Sequence, residues 1–119
     1  MRMQAIGLAL AFIACGGAHA QEGILVPDGF VTRLELSQMP IAEQTVYVLG
    51  VTDGLLVSGL FQNAEQKSRD LQDCLLSGNV EGAQLRLTTL KEIQDHPEQL
   101  HMSAHAAVYI AVKKICPLK

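Results

Sequence analysis

Residues 95–117 read DHPEQLHMSAHAAVYIAVKKICP, and this stretch decides the fold class. Pro97 suits the first position of a helix, where its missing N–H costs nothing, and Glu98 complements the positive end of the helix dipole. Pro117 ends the pattern. Between the two prolines, apolar residues recur at steps of three and four, as on the buried face of a helix: Leu100, Ala104, Ala107, Val108, Ala111, Val112 and Ile115. The stretch predicts an amphipathic helix with Cys116 at its far end.

The first 20 residues have the pattern of a secretory signal peptide. Arg2 supplies a basic start, residues 5–15 form an apolar run too short to span a bilayer comfortably, and residues 18–20 form a small-x-small cleavage site. We predict cleavage after Ala20 and a periplasmic protein. The alternative is a lipoprotein signal that retains a lipid-modified Cys15.

The mature chain, residues 21–119, is predicted to be one small domain with one modest core. Removing Arg2 leaves 9 − 1 = 8 Lys and Arg against 12 Asp and Glu, a net charge of −4 with neutral histidines. This balance argues against nucleic-acid binding. Because the mature chain keeps an even number of cysteines in an oxidising compartment, a disulfide between Cys74 and Cys116 is expected.

The middle of the chain contains two further predicted helices and two segments that each fit two alternative structures. Ser37 to Pro40 reads as a helix start, and Ala42–Leu60 is predicted to be a helix whose glycines let a neighbour approach closely. Its β-branched residues favour a strand locally. Phe30–Leu36 fits either a short helix or an edge strand, and the polar segment Gln62–Asp73 is expected to be a solvated connection or a frayed helix end.

The next helix is predicted over Val80–Gln94, with Asn79 as its N-cap. Its buried residues are expected to be Ala83, Leu87 and Leu90, with Ile93 alongside. Together these segments predict an all-α fold, a small bundle of about four helices clipped by the Cys74–Cys116 disulfide.

Residues with catalytic or metal-binding chemistry are few. His101 and His105 lie four residues apart, as zinc ligands often do, but no third ligand has a firm position. Asp53 within an apolar helix is expected to pair with Arg33 or Arg86 or to be exposed. Since no nucleophile elbow or phosphate-binding glycine loop is present, the sequence predicts neither an enzyme nor a cofactor.

Two motifs resemble those of the Tai family of type VI secretion amidase immunity proteins. One is the run YVLGVTDG over Tyr47–Gly54, which includes Gly50 and Asp53. The other is the pattern HPExxHxxA over His96–Ala104, and the order of the two cysteines also fits. The motif positions we single out as structural are Tyr47, Gly50, Asp53, Pro97 and His101. The resemblance covers most of the mature domain.

This resemblance implies a small helical periplasmic protein, often a homodimer, that binds and blocks a peptidoglycan amidase effector rather than a small-molecule substrate. An exposed segment between helices would occlude the amidase cleft, and the two candidates are Leu76–Glu81 and Asp95–Gln99. Leu76 and Val80 are plausible apolar anchors, although both also fit a core. The partner-binding candidates are Leu76, Asn79, Val80, Glu81, Asp95, His96, Glu98 and Gln99. The alternative function is that of a periplasmic acid-stress chaperone.

Overall fold

The structure is a computed structural model that describes residues 29–61 and 63–117, apart from the side chains of residues 60 and 61. The predicted signal peptide lies outside the described residues. Within them the fold is all-α without a strand, which confirms the predicted class. The helices are α1 (Arg33–Gln38), α2 (Ile41–Phe61), α3 (Glu65–Ser77), α4 (Gly82–Asp95) and α5 (Ala104–Ile115), and a 3₁₀ turn, Pro97–Gln99, precedes α5.

Helix α1 resolves the ambiguous segment Phe30–Leu36 in favour of a helix. Thr32 caps it: the Glu35 N–H donates to the Thr32 hydroxyl at 3.2 Å, and the Thr32 N–H donates to the Glu35 carboxylate at 2.7 Å. This reciprocal capping box satisfies two otherwise unpaired donors at the helix start. It also holds the Glu35 pKa below its ordinary value, because the bonds to Thr32 favour the ionised carboxylate.

Helix α2 packs against α3, α4 and α5. Val48 is fully buried, and Thr52 is buried with its hydroxyl donating to the Val48 carbonyl at 2.8 Å. The prediction that its glycines admit a neighbour holds only at Gly59, which lies against Ser68 and the Ala64 carbonyl of the α2–α3 connection. Gly50 and Gly54 face open space.

The segment Gln62–Asp73 was predicted to be a solvated connection or a frayed helix end, and both alternatives are wrong, because residues 65–73 belong to helix α3. The segment is rich in Glu, Gln, Lys and Arg, which are good helix formers. Arg69 pairs with Glu65 at 3.6 Å, one turn away. A single buried side chain on the polar part, Leu71, joins the core beneath α2. The apolar contacts of Leu71, Cys74 and Leu75, together with the disulfide, therefore dock a helix that is polar on most of its surface.

Helix α4 is present, and its predicted buried face is right at Ile93 but wrong at Ala83 and Leu87. The residues it buries are Leu85, Thr89, Glu92 and Ile93, while Ala83 and Leu87 are exposed and Leu90 is only partly buried. The Thr89 hydroxyl donates to the Leu85 carbonyl at 2.8 Å, and the Glu92 carboxylate accepts from Lys114 of α5. Because both polar groups have partners, their burial is tolerated and the helix turns this side inward.

Helix α5 confirms most of the stripe predicted at the outset. Five residues of that stripe are buried: Ala104, Ala107, Val108, Ala111 and Val112. The helix begins at Ala104 rather than at Pro97, where the chain forms the 3₁₀ turn instead. The Ala104 N–H donates to the Val31 carbonyl at 2.9 Å, which ties the start of α5 to the segment before α1.

The predicted disulfide is present between Cys74 of α3 and Cys116 at the end of α5, with a Cα–Cα distance of 5.9 Å. It lies beside one of two core clusters, formed by Val48, Leu71, Leu85, Val108, Val112 and Cys116; the other contains Leu36, Ile93, Ala104 and Ala107. Tyr47 packs against both clusters. In the part of the chain that the structure describes, no helix has the length and apolar character needed to cross a membrane.

Candidate partner-binding surface

The turn between α3 and α4 is built by a Schellman motif. The Val80 N–H donates to the Leu75 carbonyl at 3.0 Å, and the Asn79 N–H donates to the Leu76 carbonyl at 3.2 Å. Asn79 takes a left-handed conformation with φ of 46°. Val80 and Leu75 both pack against the larger core cluster, as the apolar residues of this motif commonly do. These bonds fix the backbone of the turn.

Asn79 was predicted to cap α4, and this prediction is wrong. The residue before α4 is Glu81, whose side chain makes no capping hydrogen bond. Asn79 instead occupies the position after the α3 C-cap, where glycine is usual and asparagine is the commonest replacement, because its short polar side chain tolerates a positive φ. The residue therefore ends one helix rather than starting the next.

Leu76 and Val80, the two predicted anchors, have different surroundings. Val80 packs against the core, so it is the core residue that the alternative interpretation expected. The Leu76 side chain is 68 % exposed. It sits two residues after Cys74, between the disulfide and the Schellman bonds, so the backbone that carries it is held on both sides. An exposed leucine on a fixed turn loses little conformational entropy on binding, which makes it a suitable anchor for a protein partner.

The second candidate segment, Asp95–Gln99, has its charges paired within the chain. Lys91 bonds both Asp95 oxygens, at 3.0 and 2.8 Å. The His96 ring lies 3.5 Å from Glu92 and 3.3 Å from Glu98. The pKa of Asp95 is lowered chiefly by the hydrogen bond from Lys91, and the pKa of Glu98 is lowered chiefly by a bond from its own backbone N–H. A partner would have to compete with these contacts.

The two candidate segments lie at opposite ends of α4. The helix has 14 residues, which at about 1.5 Å per residue separates its ends by roughly 21 Å. The structure therefore does not bring Leu76–Glu81 and Asp95–Gln99 together, and each would have to act as a separate surface.

The motif residues of α2 occupy different environments. Tyr47 is half-buried between the core clusters. Burial raises its pKa, and the nearby His105 backbone acts in the opposite direction with a smaller effect. Gly50 and Asp53 are exposed. Neither Arg33 nor Arg86 bonds Asp53: Arg33 is buried in another part of the fold, and Arg86 donates to Gln44 at 3.2 Å. Exposure, one of the alternatives predicted for Asp53, is what the structure has.

An exposed and mainly apolar side of α2 was not predicted. Val46, Leu49 and Val57 are 71, 40 and 48 % exposed. They share one side of the helix with the exposed Gly50, Gly54 and Asp53, and Asp53 lies near the middle of that side. We call these six residues the outer face of α2. The sequence does contain a signal for this face, because α2 is apolar on nearly all sides. A helix that buries one face and exposes the other usually has polar residues on the exposed face.

The histidines do not form a metal site within residues 29–61 and 63–117. No group of three His, Cys, Asp or Glu side chains in these ranges could hold a metal ion. His101 is exposed, and His105 lies against Gly29, where an added Cβ would come within 2.5 Å of its Nδ1. His105 therefore has a packing role at the segment that precedes α1.

Comparison with known proteins gives one family. A model of the Rap1a immunity proteins matches residues 36–117, which is more than half of the chain and includes α2 to α5, the α3–α4 turn and both cysteines of the disulfide. Neither the curated proteins nor the solved structures contain a match to the chain. The extent of the family match decides the assignment: the chain belongs to the Rap1a immunity protein family.

Proposed function

We propose that the protein is a periplasmic immunity protein of the Tai type, which binds a peptidoglycan amidase effector of a type VI secretion system and inhibits it without catalysis. The observation that carries the proposal is the family match over residues 36–117. Immunity proteins act by binding an effector protein, so the match also favours this function over that of an acid-stress chaperone. The amidase as the target is supported by the Tai-like motifs at Tyr47–Gly54 and His96–Ala104.

The α3–α4 turn, Leu76–Glu81, is proposed to be the segment that enters the amidase cleft. Leu76 supplies an exposed apolar anchor, and Asn79 and Glu81 supply exposed polar groups beside it. Interfaces commonly combine a few desolvated apolar anchors with a polar rim. The Asp95–Gln99 segment is the weaker candidate, because Lys91 and Glu92 already engage Asp95 and His96.

Periplasmic location belongs to the same proposal. It is supported by the Cys74–Cys116 disulfide, since such bonds form and persist in oxidising compartments. It is also supported by the signal-peptide pattern of residues 1–20. Peptidoglycan lies in the periplasm, so an inhibitor of an enzyme that cleaves it has to be exported.

A homodimer through the outer face of α2 is proposed as well. Val46 and Val57 are 11 residues apart, about three helical turns, and therefore point in nearly the same direction. Gly50 and Gly54 lie between them without bulk, and Asp53 lies on the same face, so the interface has to leave the Asp53 carboxylates in contact with water. Sedimentation velocity of the wild-type protein should give a dimer, and the Val46→Glu/Val57→Glu variant should give a folded monomer. A wild-type monomer at all accessible concentrations would contradict this part of the proposal.

The test of the proposed function is neutralisation in cells. Amidase effectors encoded beside the gene for this chain would be expressed with an export signal, so that each lyses the cells that make it. Co-expression of the full chain should restore growth, and the chain lacking residues 1–20 should not, because it stays in the cytoplasm. Failure of the full chain to protect against any of these effectors, together with failure to co-purify with them, would refute the function.

A further inference from the structure

A cavity of about 540 Å³ opens between the C-terminal half of α2, helix α3 and helix α5. It is within the size range of small-molecule sites in proteins. The cavity does not include the α3–α4 turn or the Asp95–Gln99 segment. Its lining residues from the three helices that the argument uses are Leu55, Lys67, Leu71, Val112, Lys113 and Cys116.

The floor of the cavity is apolar. Leu71, Val112 and Cys116 are almost fully buried members of the larger core cluster, and Leu55 packs against that cluster. Cys116 is tied to α3 by the disulfide, so the wall between α3 and α5 is covalently fixed. At the other end, Gly59 lies against Ser68 and holds α2 close to α3. An apolar group placed on this floor would lose part of its contact with water.

Among the residues that the structure describes, the charged groups that line the cavity are positive. Lys67 and Lys113, both exposed, line it, and no described Asp or Glu does. The structure describes four lysines; Lys91 pairs with Asp95 and Lys114 pairs with Glu92. The two that have no carboxylate partner among the described residues are the two at this cavity. Lys113 instead lies over the Tyr109 ring, with its ammonium 5.3 Å from the ring centroid.

Both lysines are exposed, in a chain with a net charge of −3. Twelve carboxylates are available, yet none pairs with Lys67 or Lys113 within the described residues. Two ammonium groups beside an apolar floor complement a ligand with one anionic end and one apolar end. A compact polar anion would leave the floor uncovered, and a neutral apolar molecule would leave both ammonium groups without an anionic partner.

We propose that this cavity binds an amphipathic carboxylate, namely a medium-chain fatty acid. Its alkyl chain lies on Leu55, Leu71 and Val112, and its carboxylate lies between Lys67 and Lys113. The site is separate from the surface proposed to bind the effector, so it adds a small-molecule ligand to a chain that otherwise binds proteins.

The experiment is a two-dimensional NMR titration of the ¹⁵N-labelled, oxidised protein with sodium decanoate. Saturable shifts are expected for the amides of Leu55, Gly59, Ser68 and Val112. Decanol, which has the same chain length but no charge, should bind at least about tenfold more weakly, because each ammonium adds an attraction that the alcohol lacks. Decyltrimethylammonium should not bind at this site.

Charge-removing variants locate the site. Lys67→Gln/Lys113→Gln should weaken decanoate binding about tenfold and leave decanol binding unchanged. Arg69→Gln is the matched control, since Arg69 lies on α3 two residues from Lys67, does not line the cavity and pairs with Glu65. Its decanoate affinity should equal that of the wild type. Equal affinity for decanoate and decanol, unchanged decanoate affinity in the lysine variant, or shifts confined to residues outside the cavity would each overturn the proposal.

Discussion

Removal of the disulfide is the perturbation whose magnitude follows most directly from the structure. Cys74 and Cys116 are separated by 42 positions, so their bond closes a loop that spans α4, the 3₁₀ turn and α5. The chain-entropy relation for a loop of this length gives about 4 kcal/mol of stabilisation, since the bond restricts the unfolded chain. Small domains are stable by roughly 5–15 kcal/mol in total. The Cys74→Ala/Cys116→Ala variant should therefore lose a large part of its stability.

The assay is equilibrium unfolding in urea, followed by far-UV circular dichroism. The free energy of unfolding of the double variant should fall by about 3–4 kcal/mol relative to the oxidised wild type. The wild type unfolded in the presence of a reductant should give nearly the same loss, and the reductant should not affect the variant. Free thiols at Cys74 and Cys116 in protein kept from reduction, or a loss below about 1 kcal/mol, would refute the reasoning.

Two further predictions concern local packing and capping. Gly59→Ala should destabilise the protein by about 1–3 kcal/mol in the same unfolding assay, because the added Cβ would lie 2.7 Å from the Ala64 carbonyl oxygen. Gly54 has open space around it, so Gly54→Ala should be neutral or stabilising by up to about 1 kcal/mol. Equal effects of the two substitutions would contradict the packing. Thr32→Ala should cost about 0.5–2 kcal/mol through loss of the α1 cap. The folded-state pKa of Glu35 is lowered, so the ionised carboxylate contributes stability that is present above the unfolded pKa of 4.5 and is lost as the pH falls through the folded pKa. The difference in the free energy of unfolding between wild type and Thr32→Ala should therefore shrink on acidification. A pH-independent difference would show that Glu35 does not take part in the cap.

The sequence predicted best where local chemistry and tertiary packing agree. The stripe from Ala104 to Val112 is buried as expected, because its spacing of three and four leaves one apolar face. In α2, tertiary burial outweighed the strand propensity of its β-branched residues: Val48 is at the centre of the core. The disulfide followed from the number of cysteines and the predicted compartment.

Features that depend on distant partners were missed. The inward side of α4 includes Thr89 and Glu92, and nothing local in the sequence shows that Glu92 meets Lys114 of α5. Helix α3 was missed because only Leu71 marks an apolar side on its polar part. The start of α5 was placed too early, since Pro97 also suits the first position of a 3₁₀ turn.

The candidate site was predicted only in part. Leu76–Glu81 was expected to be a segment between helices, but the left-handed role of Asn79 depends on the bonds from Val80 and Asn79 back to α3. Leu76 and Val80 are two similar apolar residues on either side of a turn. The sequence therefore did not show that Leu76 is exposed while Val80 packs against the core. The outer face of α2 required the arrangement of the other helices, because exposure is decided by what they leave uncovered.

The central proposal is that the Leu76–Glu81 turn binds an amidase effector. The most direct measurement uses the amidase identified by the neutralisation test and compares its dissociation constant for the wild type, for Leu76→Asp and for Glu98→Gln. Loss of a central apolar anchor typically costs 2 kcal/mol or more, so Leu76→Asp should weaken binding by about 30-fold or more. Glu98→Gln, on the segment whose charges are paired within the chain, should change affinity by less than about threefold. Unchanged affinity for Leu76→Asp, with or without a large loss for Glu98→Gln, would contradict the claim.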